Sequence, residues 1–189
     1  MPSKDHFHSV VATLQPVIHG IGEDRLDAPT PCTEWTVRDL ADHFLGTSEA
    51  MRRAGADEAR DPDDPWGTAG GHLTPTWRVD LSAQLTGLAD AWAREEAWQG
   101  EVDGTPKQGM GDMAYVEVML HGWDLARGSG QDVAFDPDAV AQARAVMEQI
   151  GRMGRDGGAF GALVDVGDDA SDWDVVLAEA GRDPQWRTG

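Results

Sequence analysis

The stretch Tyr115-Val116-Glu117-Val118-Met119-Leu120-His121-Gly122-Trp123-Asp124-Leu125-Ala126-Arg127 is apolar nearly all the way round a helix, yet three ionisable residues interrupt it. Glu117, His121 and Asp124 stand at i, i+4 and i+7, so they share one stripe with Cβ atoms roughly 5–6 Å apart between neighbours. Val116, Met119, Leu120 and Trp123 crowd the other faces and leave that stripe with little water. A buried carboxylate without a partner is costly. Two arrangements relieve the cost: a metal ion held by Glu117 and His121, or a hydrogen-bonded core network that holds no ion.

Working outward from this helix, the pattern stays helical. Phe7, Val10, Val11, Leu14 and Val17/Ile18 mark a first helix over about Lys4 to Ile21, which Pro16 is expected to bend. Thr36 predicts the cap of a second helix, with Asp39 answering in a capping box, and the apolar stripe runs Val37, Leu40, Ala41, Phe44, Ser48, Met51. Residues 55–72, rich in Asp, Gly and Pro, read as a surface loop. A third helix is expected over Thr76 to Trp98 and the fourth over Asp112 to Arg127. The fifth runs from Pro137 to Met153 with Asp136 as its cap, and a last short helix falls near Asp172–Ala180. Strand signals are sparse and are expected only as short pieces after Gly154. The class is all-α, a helical bundle around one buried helix.

Composition narrows the partners. The chain has 189 residues and a formal charge of −19, with only Lys4 and Lys107 as lysines among fifteen basic residues. This balance argues against nucleic acid and anionic membrane as partners. The single cysteine, Cys32, leaves no internal disulfide and fits a reducing cytoplasm. Neither a signal segment nor an apolar run of membrane-spanning length opens or interrupts the chain. A soluble cytoplasmic protein, monomer or homodimer, is the expectation.

Glu117 and His121 supply two ligands, whereas a catalytic zinc site generally takes three protein ligands and keeps a position open. His43, mid-way along the second helix at the border of its core-facing stripe, is the third candidate, since bundle sites are built from inward side chains of facing helices. Its alternative is an interfacial histidine capped by a carbonyl. His6 and His8 are expected in solvent, His19 near free carbonyls at a helix end, and His72 in a loop. Asp124 has three open roles: orienting His121 through the other imidazole nitrogen, serving as a fourth ligand, or pairing with Arg127 at i+3. Cys32 lies outside the first turn of the second helix, where the dipole gives a thiol little activation, and reads as inert.

Pro29-Thr30-Pro31-Cys32-Thr33-Glu34-Trp35-Thr36-Val37-Arg38-Asp39-Leu40-Ala41-Asp42-His43 and Glu117-Val118-Met119-Leu120-His121-Gly122-Trp123-Asp124-Leu125-Ala126-Arg127 together resemble the two metal-binding helices of the DinB-like/mycothiol-dependent maleylpyruvate isomerase N-terminal family. Gly181-Arg182-Asp183-Pro184-Gln185-Trp186 resembles the tail of an actinobacterial subgroup of that family. The resemblance implies a DinB-like four-helix bundle over residues 1–154, carrying an additional helix, with a short C-terminal extension over 155–189 packed on it. It implies one divalent metal on His43, Glu117 and His121, with zinc first and nickel or iron as alternatives. It further implies a low-molecular-weight thiol as cosubstrate and a thiol-dependent transferase or isomerase acting on a small electrophile, Asp124 orienting His121. A metal-dependent hydrolase and a non-catalytic metal- or small-molecule-binding module are the alternatives. In the isomerase a separate C-terminal domain carries a catalytic arginine, and no arginine of this chain is assigned that role from the sequence.

Overall fold

Six α-helices form where apolar residues recur at helical spacing, in a computed structural model that describes residues 3–33 and 35–188. They are α1 (Phe7–Gly20), α2 (Val37–Ala56), α3 (Trp77–Trp92), α4 (Lys107–Gly128), α5 (Pro137–Asp156) and α6 (Asp172–Glu179). Helices α1 and α2 each pack against both α3 and α4, which closes a four-helix bundle with α1 diagonally opposite α2. Helix α5 lies on the outside of α4, and α6 packs on α5. The all-α bundle is thus the architecture that forms. Pro16 sits inside α1 without ending it.

Helix α4 is the central element. Leu14 of α1 seats on Gly122, where an added Cβ would fall 2.3 Å from a Leu14 methyl. Trp92, Trp123, Tyr115, Phe7 and Phe44 are the largest fully buried side chains. The Tyr115 hydroxyl donates to the Ala139 carbonyl at 2.9 Å, so burying its ring leaves no polar atom unpaired and ties α4 to α5.

Helix α2 begins as the capping-box pattern predicts: the Thr36 hydroxyl accepts from Asp39 N–H and the Asp39 carboxylate accepts from Thr36 N–H. Asp42, further along, accepts from the amides of Gly71 (2.9 Å) and Leu73 (2.6 Å) and pins the 57–76 loop to the helix. At Gly46 and Gly67 helix and loop approach so closely that a Cβ on Gly46 would lie 2.0 Å from the Gly67 carbonyl oxygen. The loop is therefore a fixed wall beside His43.

Four expectations are corrected. The third helix stops at Trp92, and Glu95–Trp98 form a separate 3-10 turn. Among the described residues no strand follows Gly154; instead β1 (Glu101–Val102) pairs antiparallel with β2 (Thr105–Pro106) ahead of α4. The cause is Asp103-Gly104, whose φ values of 51° and 77° are those of the two-residue turn that Asp-Gly favours. Helix α4 starts earlier than expected, at Lys107, whose ammonium is buried against Asp57. His6 is buried, not in solvent; His8 is exposed and reaches Asp90.

The segment after α5 folds back over the bundle. Phe160 covers Gly154, and the backbone crosses itself at Gly161 and Gly181. Gly181 has φ +79°, and a Cβ there would meet the Gly161 Cα at 2.5 Å. Only glycine meets both demands, and the next residue, Arg182, is thereby turned inward.

Candidate metal centre

Glu117 and His121 sit one turn apart on α4, and the Glu117 Oε2 to His121 Nε2 separation is 2.9 Å. His43 faces them from α2, its ring centroid 5.2 Å from that of His121 and nearly perpendicular to it. One donor atom from each of the three residues lies within 4.8 Å of the others. Trp35 stacks obliquely on His43 at 4.5 Å and Phe44 meets His121 edge-on at 5.7 Å, so the imidazoles are held between aromatic walls.

Behind His121 the charges continue into the protein. Asp124, with no exposed surface, lies 3.4 Å from His121 Nδ1. It accepts from Arg182 Nη2 at 2.9 Å and from Arg182 Nε at 3.3 Å. Arg182 Nη1 donates to the Ala180 carbonyl at 2.8 Å, and Nη2 also lies 4.0 Å from the Cys32 sulfur. Arg127 pairs with Asp132, so the i+3 ion pair considered for Asp124 does not form.

The electrostatics follow from this row. Burial disfavours a charged His121, but the Glu117 and Asp124 carboxylates outweigh it and hold the imidazole up at about 9. Burial and the facing His121 push His43 down to about 4. Glu117 is penalised by burial, yet His121 keeps its carboxyl below the ordinary range. The ion-free centre therefore holds one buried positive charge on His121 and a neutral His43.

The donor set fits a divalent cation. Two imidazoles and a carboxylate on facing helices form the combination zinc takes in catalytic sites, and the Glu117 carboxylate, largely withdrawn from solvent, favours a positive neighbour. The ion-free alternative is visible in the same atoms: Glu117, His121, Asp124 and Arg182 form an alternating row of opposite charges. His43 stands outside that row, with no hydrogen bond to its imidazole among the described residues.

A cavity of about 680 Å³ opens above the three residues, walled by Trp35, Met51, Trp66, Met113 and Phe160. Cys32 lines it too, with its thiol raised to about 11 by burial and by Asp124. The remaining histidines lie apart: His19 Nε2 is 3.2 Å from the Ser82 hydroxyl instead of helix-end carbonyls, and His72 lies against Gly46 at a neighbouring cavity. Sequence reasoning missed Arg182. Its one signal was an arginine placed between Gly181 and Asp183-Pro184, in a tail singled out for likeness and not for chemistry.

Residues 7–126 match the family described as mycothiol maleylpyruvate isomerase N-terminal domain, and the chain belongs to that family. An uncharacterized protein of Mycobacterium tuberculosis, found in two strains, is 31% identical over 149 residues, covering 78% of this chain and 75% of the relative. The crystal structure of the mycothiol-dependent maleylpyruvate isomerase has a similar fold, with a TM-score of 0.61 at 19% identity over 98% of this chain and 91% of that one. A point mutant of the isomerase gives a TM-score of 0.63 at 18% identity over 96% and 90%. Coverage this high takes the shared fold through the C-terminal segment.

Proposed function

We propose that this chain binds one divalent cation through His43, Glu117 and His121 and uses a low-molecular-weight thiol to transform a small electrophile, as a transferase or isomerase. The observation that carries the reading is the convergence of those three donors, from two helices, at the floor of a cavity large enough for both reactants. The family's own description, which names mycothiol, supports the thiol. Zinc suits the donors first, with nickel or iron next. A cation held there would supply Lewis acidity that favours the thiolate over the thiol.

The chain's own residues do the rest. Asp124 fixes His121 through Nδ1 and leaves Nε2 toward the site. Arg182 balances the Asp124 charge, so burial of the carboxylate is sustained when His121 is neutral. Trp35 and Phe44 limit water at the imidazoles. Residues 155–189 act as an extension of the bundle over 1–154, closing one side of the cavity. The setting that supplies reduced thiol is the cytoplasm, and among the described residues no helix is long and apolar enough to cross a membrane.

Metal content of protein purified without a chelating tag tests the ligand set. One zinc per chain is expected after incubation and dialysis, and His43→Ala, Glu117→Gln and His121→Ala should each lose it while remaining folded. Mycothiol added to the zinc-loaded protein with an electrophile should be consumed or recycled in a zinc-dependent manner. Zinc-dependent ester or amide hydrolysis without thiol would replace this reading with the hydrolase; no zinc uptake by the wild-type chain would end both.

A further inference from the structure

The charges around the cavity are unusual for a site that handles anions. Among the described residues Arg182 is the only lysine or arginine that lines it. That guanidinium is already engaged: Nη2 and Nε donate to Asp124, and Nη1 donates to the Ala180 carbonyl. Its charge is matched by a carboxylate at 2.9 Å, with both side chains buried. The acidic side chain at the cavity floor, Glu117, adds negative charge. No described lysine or arginine of the lining is left to receive a substrate carboxylate, and the charge of the divalent cation proposed at the floor would be matched by Glu117 and the thiolate it would hold; the chain as a whole carries −19, a field that opposes approach of anions.

The walls offer something else. Trp66 stands 43% exposed at the cavity, with its ring covered by the Arg60 guanidinium at 4.9 Å from the centroid. Arg60 is itself held by the Pro65 carbonyl at 3.0 Å and by Asp103 at 2.5 Å, so a fixed guanidinium backs one face of the indole. Met51 and Met113 add flexible thioethers that adapt to irregular apolar shapes. Phe160, fixed over Gly154, completes the surface from the C-terminal segment.

We infer that the electrophile is a neutral, apolar molecule with an aromatic or extended hydrocarbon part that rests on Trp66, Met113 and Phe160, and that dicarboxylates are excluded. The inference rests on the thiol-dependent reading for the chemistry but not for the binding preference. A dianion would leave water for a cavity with no spare positive side chain, whereas an apolar group gains from every part of the wall it covers. The solved isomerases are named for maleylpyruvate, a dicarboxylate, so this chain would serve a different substrate on a shared scaffold. With an α,β-unsaturated ester as electrophile, the thiol sulfur bonds to the β carbon, the C=C π bond breaks, and the thiol proton passes to the α carbon. Reversal after rotation returns the thiol and the trans isomer.

Binding separates the charge preference from the chemistry. Methyl 3-phenylpropanoate, 3-phenylpropanoate and phenylsuccinate, which do not react with thiols, give neutral, singly and doubly charged forms of one aromatic skeleton. Titrated by protein-observed NMR into the zinc-treated full chain with mycothiol present, the ester should bind at least about tenfold tighter than the monoanion, and the dianion weakest. Trp66→Ala should weaken the ester by about 5–10-fold, in keeping with lost aromatic packing. Met113→Arg, at a half-buried wall position, should move the ester-to-anion ratio at least about fivefold toward the anions. Equal or tighter binding of phenylsuccinate by the wild type, or an unchanged ratio in folded Met113→Arg, overturns the inference. An ester preference in a chain that neither holds zinc nor uses thiol would sustain it while ending the proposed function. Zinc- and thiol-dependent turnover of a dicarboxylate in preference to its diester would do the opposite.

Discussion

Arg182 Nη2 donates to the Asp124 carboxylate at 2.9 Å across 58 positions of sequence, with both residues buried directly behind His121. The C-terminal segment and the candidate metal helix are thus joined by one ion pair. Removing one partner of such a pair strands a buried charge, which costs about 3–5 kcal/mol, far more than a surface pair is worth. Arg182→Met is expected to destabilise the protein by that amount in denaturant melts, and Asp124→Asn in the same background should recover part of it. Asp124→Asn alone should lower zinc affinity by about 10–100-fold, because His121 loses the carboxylate that orients it. Equal stability of Arg182→Met and wild type would show that the tail contributes nothing to the centre.

The pH dependence of the ion-free protein follows from the two histidines. His121 is raised to about 9 in the fold, so its contribution is complete below its ordinary value near 6.5 and fades as pH climbs through 9. His43 is lowered to about 4, so stability is lost as pH falls from 6.5 toward 4, where a buried imidazole must take up a proton. Stability from this pair should peak near pH 6.5. Zinc needs both imidazoles neutral, so its binding near pH 7.5 should release about one proton, drawn from His121. Calorimetry in buffers of different ionisation enthalpy reads that proton directly; a release near zero would mean that His121 is neutral beforehand.

Much of this was legible in the sequence because its cause is local. The stripe Glu117, His121, Asp124 is a matter of helical period, and the capping box of Thr36 and Asp39 a matter of three-residue spacing; both stand as expected. His43 joined the site on a position at the border of an apolar face, and the fold brings it to His121. Arg182 was not legible. Its partner is remote in sequence, and the turn that aims it depends on Gly181 meeting Gly161, a contact between two loops. The hairpin at Asp103-Gly104 was missed for a different reason: its strands are two residues each, too short for alternation to register.

Gly181 is expected to be among the least replaceable residues of the tail. At φ +79° a Cβ is strained, at about 1–2 kcal/mol, and it would also strike the Gly161 Cα at 2.5 Å. Gly158 supplies the control, with φ +78° and nothing within 4 Å of an added Cβ. Gly158→Ala should cost about 1–2 kcal/mol with zinc affinity unchanged. Gly181→Ala should cost more and should also weaken zinc, since Arg182 is displaced from Asp124. Equal losses at the two positions would show that the Gly161 crossing gives under load.

Cys32 lines the cavity yet is expected to take no part in the chemistry. Burial first, then the Asp124 charge, raise its thiol to about 11, against which the Arg182 guanidinium 4.0 Å away is too weak an offset. The reactive thiolate is therefore scarce at neutral pH. Iodoacetamide should modify the native protein slowly at pH 7, with a rate that rises steadily with pH and shows no plateau below pH 9. Cys32→Ala should keep zinc binding and thiol-dependent turnover within about twofold of wild type, since the change removes a packed sulfur and no reacting group. Fast stoichiometric alkylation at pH 7 with loss of turnover would instead make Cys32 a nucleophile of the reaction.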